Sequence, residues 1–568
     1  MSNNMSSKEL LAKVELALDK NYQSHALPHS NRTIATWYLL AVLEDNLRLL
    51  FVGADDSKSS LVDHLLDAYK YSARFALDRI RRECHDTSKV AIPTKIVPRV
   101  YVQTGELLRA GTDYMAANRL CSAAHAKTLG LIEGAETIEV EFDADDHDMR
   151  YSTVELLGHM PPDFLDHTTR LYHWARNEEF RPEIVEIISQ TTHIAGGKVA
   201  YEFHVYPAVK LAESLEQYPF LVPDRWRFAW GSREETTLLL NALCIRCVYH
   251  WCAVHFGASS HGLKGVGQES LLFVTNAQQL AADLREMCSL ELPTIRKFIE
   301  YLTLGHGVQA PDPALQPIVP LGEGRIAIPC LLFLSSNYER NLLTLQARVD
   351  TPAFDRLSGL FEEVMVSGLL PLAKKRWPST KGNVTIRDGK EFEEIDLLVP
   401  DPESKTLLVC ELRWMLQPGD PREVHNRKKV CREKVAQLER KMRWLNVRKA
   451  IALQTLGLNA DGANEWHYAG VVSVDAYGGV LSPNSELPLL PNNIFKQGLE
   501  KASSLSEFVS WSRSLRWLPK EDEHFRIVTQ TTKLPGFDKP LVTLGIEKLC
   551  SPTTYSEFVV RSLEQESI

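Results

Sequence analysis

Cysteine is sparse, with ten in 568 residues. Several, such as Cys247, Cys252 and Cys410, sit inside apolar runs. That excludes a disulfide framework and suits reduced, buried thiols in a cytoplasmic protein. Long apolar runs are missing as well. The most apolar stretch, Thr236 to Phe256, is broken by Asn241, Arg246, His250 and His255, so no membrane span is expected. The N-terminal twenty residues lack the unbroken apolar core of a signal peptide. Basic charge is not in excess: 64 Lys and Arg face 73 Asp and Glu, a net charge of −9. Spread evenly, that charge repels phosphate backbones. With 44% hydrophobic and 24% charged residues, disordered, collagenous and coiled-coil classes are excluded. At roughly 150 residues per domain the length suggests about three or four domains.

What is present is a multidomain α/β (α+β) pattern. Residues 1–90 read as helices, with apolar spacing over Leu10–Leu18, Thr33–Phe51 and Leu61–Ile80. Residues 91–210 read as a mixed α/β region. In it Val97–Gln103, Thr137–Phe142 and Val199–Val205 have strand-like composition. Residues 211–349 read as mostly helical with a proline-bearing connector over 311–329. A separate domain is expected over 350–480, followed by a C-terminal extension over 481–568.

Residues 351–476 read helix, strand, strand, helix, strand, strand, the last two strands over Ala450–Thr455 and Tyr468–Val474. The first helix, from Thr351 to Arg376, would bury Phe354, Leu357, Phe361, Val364 and Leu369. Residues 382–389 read as a turn-rich passage. Phe392–Val399 and Thr406–Trp414 read as strands joined by an Asp401-Pro402-Glu403-Ser404 turn. Counted outward from that turn, Asp396 falls opposite residue 410 or 411, beside Glu411. Two carboxylates among apolar neighbours repel each other and resist ionisation, and a divalent cation between them removes both penalties. Arg413, two residues past Glu411, leaves the same strand face. Two acids and a fixed cation on one spot suit a metal-dependent phosphodiester hydrolase. A buried carboxylate–Arg ion pair is the plain structural alternative.

These residues resemble the PD-(D/E)XK nuclease superfamily, the restriction-endonuclease-like fold, over 351–476. The matching pattern is Asp396 on one strand and Glu411-Leu412-Arg413 on the next, with Phe361-Glu362 on the preceding helix. The resemblance implies an αβα domain with a mixed central sheet. It implies Mg²⁺ or Mn²⁺ held by Asp396, Glu411 and the Leu412 carbonyl. Arg413 would stabilise phosphate, Glu362 would bind a second metal or orient water, and Lys434 or Gln437 would complete the site. The substrate implied is nucleic acid, DNA rather than RNA. Arg413 departs from the family's lysine: it holds charge and a planar fork but cannot act as a base. A domain that binds without cutting is therefore the second expectation.

The helix after the hairpin carries eleven basic residues against three acids over 422–449, a local charge of +8. Val424, Cys431, Val435, Leu438, Met442 and Leu445 keep helical spacing, so the basic groups are expected to face outward. Arg427, Lys428, Lys429, Arg432 and Lys441 are the expected phosphate contacts. An N-terminal region of about 350 residues is expected to sense a signal, bind a partner protein or build a homo-oligomer, an architecture that suits prokaryotic anti-phage defence. Three other clusters read as structure. Cys244, Cys247, His250, Cys252 and His255 suit a core helix. Asp143, Asp145, Asp146, His147 and Asp148 suit a solvated loop without EF-hand spacing. Gly262, Gly265 and Gly267 lack P-loop order.

Overall fold

The computed structural model describes residues 6–53, 59–86, 90–142, 148–158, 182–196, 198–214, 220–419, 421–475 and 482–564. The chain is mixed α/β and forms two compact units. One comprises Met1–Val14, Arg119–Met160 and Arg356–Ile568, and the other Glu15–Asn118 and Pro161–Asp355.

The first unit is built on a five-stranded mixed sheet. Helix α1 spans Thr351–Arg376. Strands β1 (Lys381–Asp388), β2 (Glu391–Asp401) and β3 (Thr406–Arg413) follow. Then come α2 (Pro421–Asn446), α3 (Lys449–Thr455), β4 (His467–Val474) and β5 (Leu489–Pro491). The sheet order is β1-β2-β3-β4-β5, with the first two pairings antiparallel and the last two parallel. A parallel return from β3 to β4 needs a long crossover, and α2 with α3 supplies it. Leu397, Leu398, Val399, Leu407, Leu408, Val409, Val471 and Val472 are fully buried, as continuous apolar strands covered on both faces must be. The β2–β3 turn is held by Asp401, whose carboxylate accepts from the Glu403 amide at 3.1 Å and the Ser404 hydroxyl at 2.7 Å.

Several local expectations differ from the structure. Residues 382–388 lie in strand β1 rather than a turn, because Val384 and Ile386 alternate inward against Ile395 and Glu393 of β2. The turn shrinks to Gly389 and Lys390, and Gly389 takes φ of +61°. Residues 450–455, expected as a strand, are helix α3, since a short apolar run does not distinguish the two. Val97–Gln103 lies almost wholly in a helix, Pro98–His125, which opens on the proline. The strand expected over 199–205 is Lys198–Tyr201, and helix Val205–Ser214 follows. On α1, Phe361 and Leu369 are buried as expected, but Val364 is half-exposed and Phe354 and Leu357 are half-buried, and Met365, Val366 and Ala373 are buried instead.

Residues beyond 480 continue the same unit. Strand β5 extends the sheet, and helices Asn492–Lys501 and Leu505–Ser514 follow it. A second sheet combines Leu129–Glu133, Ile138–Phe142, Leu541–Lys548 and Phe525–Thr532, in that order.

In the second unit the long helix Arg233–Ser260 is a core element. It is long and apolar enough to cross a membrane, but 72% of its 18-residue apolar stretch is buried inside the protein. Ser232 caps it with a reciprocal Glu235 contact, a capping box. Cys247, His250 and Cys252 of the Cys/His cluster are buried in it. The acidic residues 143–147 lie outside the described residues, while Asp148 pairs with Arg150 at 2.8 Å.

Candidate active site

The hairpin register brings the two acids together. Leu397 pairs with Cys410, and one step further along the ladder sets Asp396 across from Glu411. Asp396 Oδ2 accepts from the Leu412 amide at 2.7 Å, which fixes its carboxylate against β3. Glu411 is fully buried. Burial pushes its carboxyl above the usual range, the Asp396 charge pushes the same way, and Lys441 and Lys434 oppose both.

Two helix α2 lysines converge on Glu411. Lys441 Nζ donates to Oε1 at 2.6 Å and to the Glu394 carbonyl at 2.5 Å. Lys434 Nζ donates to Oε2 at 3.4 Å. Seven residues separate them, two helical turns, so both leave one side of α2. Lys441 was expected on the outer phosphate-tracking face, but it is only 5% exposed and belongs to the acid cluster. The seven-residue spacing from Lys434 is the sequence signal that marks it. Gln437 is half-buried and makes no hydrogen bond among the described residues.

Arg413 leaves β3 toward α1. Its Nη1 donates to Glu362 Oε1 at 2.9 Å, and both side chains are partly exposed. Arg413 therefore does not close on Asp396 and Glu411. Next to this pair, Phe361 stacks on Trp414 with ring centroids 4.0 Å apart and planes 6° from parallel. Residues 361–362 and 413–414 thus join α1 to the end of β3 through one ring contact and one ion pair.

The basic helix is less free than its charge suggests. Arg427 is buried, with Nη1 3.6 Å from Glu155 and Nη2 donating to the Met415 carbonyl at 3.4 Å. Burial lowers its pKa and Glu155 works against that shift. It is a packing group rather than an outward contact. Arg440 pairs with Glu393 of β2. Arg448 is held by Asp388 at 2.8 Å and Glu391 at 2.6 Å, and its guanidinium lies 4.4 Å from the Trp444 ring centre. The outward basic groups among the expected contacts are in the N-terminal half of α2. Lys429 and Arg432 are exposed and Lys428 is half-buried. Lys429 lies 3.8 Å from Glu433.

Among the described residues, no group of three or more His, Cys, Asp or Glu side chains is placed to hold a metal ion. Asp396 and Glu411 are a two-carboxylate set. Mg²⁺ keeps several waters and often takes one or two protein carboxylates. Burial is the main reason the Glu411 carboxyl is raised, and the Asp396 charge adds to it against Lys441 and Lys434. A hard divalent cation would find two carboxylates here, with both Glu411 oxygens already accepting from lysines. No family model matches the chain, and no curated protein or solved structure compared with it matches either.

Proposed function

We propose that the first unit is a metal-dependent nuclease that hydrolyses phosphodiester bonds in nucleic acid, DNA rather than RNA. The observation that carries this reading is Asp396 across the hairpin from a buried Glu411 that draws Lys441 to 2.6 Å. Mg²⁺ held by Asp396, Glu411 and the Leu412 carbonyl would activate water and screen the phosphate charge. The chain's own groups do the rest. Lys441 uses two of its three N–H donors on Glu411 and Glu394, which leaves one for a water or phosphate oxygen. It supplies the ammonium that the Glu-x-Lys pattern places at residue 413. Arg413, partly exposed and oriented by Glu362, offers its remaining donors to a phosphate oxygen. The order of α1, β1–β3, α2 and β4, with its mixed sheet, supports the resemblance to the PD-(D/E)XK nucleases.

A second reading has its own observation: both lysines already satisfy Glu411, and Asp396 already accepts a backbone amide. A site so completed would bind nucleic acid without cutting it. A cleavage assay on plasmid, linear and single-stranded DNA and on RNA, with Mg²⁺ or Mn²⁺, separates the two. Cutting by the wild type that Asp396→Ala and Glu411→Ala each abolish is the expected result. Cutting that survives both substitutions sinks the assignment, and binding without cutting selects the second reading.

A further inference from the structure

The second unit holds a cavity of about 660 Å³ with a charged floor. Arg246, on the core helix Arg233–Ser260, is 4% exposed there. Its Nε donates to Asp283 Oδ2 at 2.7 Å and its Nη1 to the Tyr201 hydroxyl at 2.9 Å. Its guanidinium sits 4.1 Å from the Phe273 ring centre and 4.8 Å from that of Phe203. The Tyr201 hydroxyl lies 2.8 Å from His250 Nδ1, and His250 Nε2 lies 3.1 Å from the Leu271 carbonyl. A carbonyl only accepts, so Nε2 carries the proton and Nδ1 accepts from Tyr201. Burial holds His250 at about 3, so the ring is neutral. The floor is thus a chain that starts at Arg246, which donates to Asp283 on one side and, through Tyr201 and His250, toward backbone on the other.

Two donors on buried residues that line the cavity are left over. Arg246 Nη2 makes no hydrogen bond to any described residue, and neither does the hydroxyl of Ser270, which is 6% exposed and lines the same cavity. Apolar groups of the same volume often replace a buried ion pair without loss of stability, so packing alone gives no reason for a guanidinium here. The carboxylates around it are committed. Asp283 takes Arg246 and also the Gln279 amide at 2.8 Å. Glu269 interacts with Lys198, and Glu202 is exposed beside His204. What faces the cavity is therefore a pair of donors with little excess positive charge. That favours an acceptor head carrying one or two negative charges over a polyphosphate.

We propose that this cavity binds a small organic oxyanion, a phosphomonoester or carboxylate of about mononucleotide size. The volume lies in the range of small-molecule sites. An oxygen of the head group accepts from Arg246 Nη2 and the Ser270 hydroxyl. The apolar body lies along Leu272 and Phe273. Lys198, half-buried, is a further cation in the lining, and burial lowers its pKa.

The test is calorimetry and thermal melting of the full-length chain. The probes are adenosine and guanosine 5′-monophosphates, the unphosphorylated nucleosides, indole-3-acetate as a planar carboxylate, and inorganic phosphate. At least one organic anion binds and raises the melting temperature, and the phosphate and carboxylate arms identify the head group. Ser270→Ala, which removes a small group without unpairing Asp283, weakens that binding about five- to tenfold. Arg246→Met abolishes it. Three outcomes overturn the proposal: no probe binds at about 1 mM; inorganic phosphate binds as tightly as any organic anion; or Ser270→Ala binds as the wild type does.

Discussion

Lys441 carries the sharpest prediction at the scale of single residues. If it supplies the site's ammonium, Lys441→Met lowers cleavage by at least about 100-fold. Lys434, at 3.4 Å from Glu411 against 2.6 Å for Lys441, is the weaker partner, and Lys434→Met lowers it by about tenfold or less. Single-turnover rates on a common substrate check both, and equal losses would contradict the ranking. Glu44 gives a prediction about stability. It is fully buried, and its carboxylate accepts from the Leu331 amide at 2.8 Å and the Leu332 amide at 3.1 Å. Burial pushes its pKa from 4.5 up to about 8, and those amides only partly oppose the shift. The folded chain then holds a proton that the unfolded chain has lost, so stability falls as pH rises from about 4.5 to 8 and levels off above. Glu44→Gln removes that slope: it costs stability at pH 4, where its amide NH2 cannot accept the second backbone N–H, and that cost shrinks at pH 9. Chemical denaturation at the two pH values reads it directly.

At the scale of elements, the basic residues of α2 have three tasks. Lys434 and Lys441 reach Glu411. Arg440, with Arg448 just past the helix end, fastens it to β1 and β2 through Glu393, Asp388 and Glu391. Lys429 and Arg432 face outward. If nucleic acid tracks the outward group, Lys429→Ala and Arg432→Ala each reduce the slope of log affinity against log salt by about 0.9. Arg448→Ala leaves that slope unchanged and lowers the melting temperature. Titrations between about 50 and 200 mM salt, with a melt of each variant, separate the two. The element that sequence reading found most fully is the β2–β3 hairpin. Its turn chemistry and unbroken apolar strands give the register by counting, and the Asp396–Glu411 pairing follows. Strand β1 was not legible, because Gly382 and Asn383 mimic a turn and only pairing with β2 makes the segment extended. Nor was α3, whose short apolar run takes helical form where the crossover to β4 requires it.

At the scale of the whole molecule, the first unit is discontinuous in sequence. Residues 119–160 and 481–568 share a sheet with each other, and β5 completes the sheet that carries the acids. A fragment covering only 350–480 lacks β5 and the second sheet. It is expected to show no cooperative melt, whereas the full chain does; a sharp transition from the fragment alone would show that the five-stranded sheet stands without them. The charge also redistributes at this scale. The +8 of residues 422–449 leaves −17 on the remaining residues. Internal pairs at Glu411, Glu393, Asp388, Glu391 and Glu155 then take up much of that basic charge, and the exposed positive groups left are those at the start of α2 together with Arg443 near its end.

The sequence by itself determined the local facts: the hairpin, the acids on it, the amphipathic basic helix and the buried core helix. Each depends on periodicity and turn chemistry within about thirty residues. Only the tertiary structure decided which basic groups reach the acids, that Arg413 goes to Glu362, and that segments before 350 and after 480 complete one unit. Those outcomes depend on how far a long side chain extends across a packed interface and on pairings hundreds of residues apart. Neither leaves a trace in the spacing of one segment.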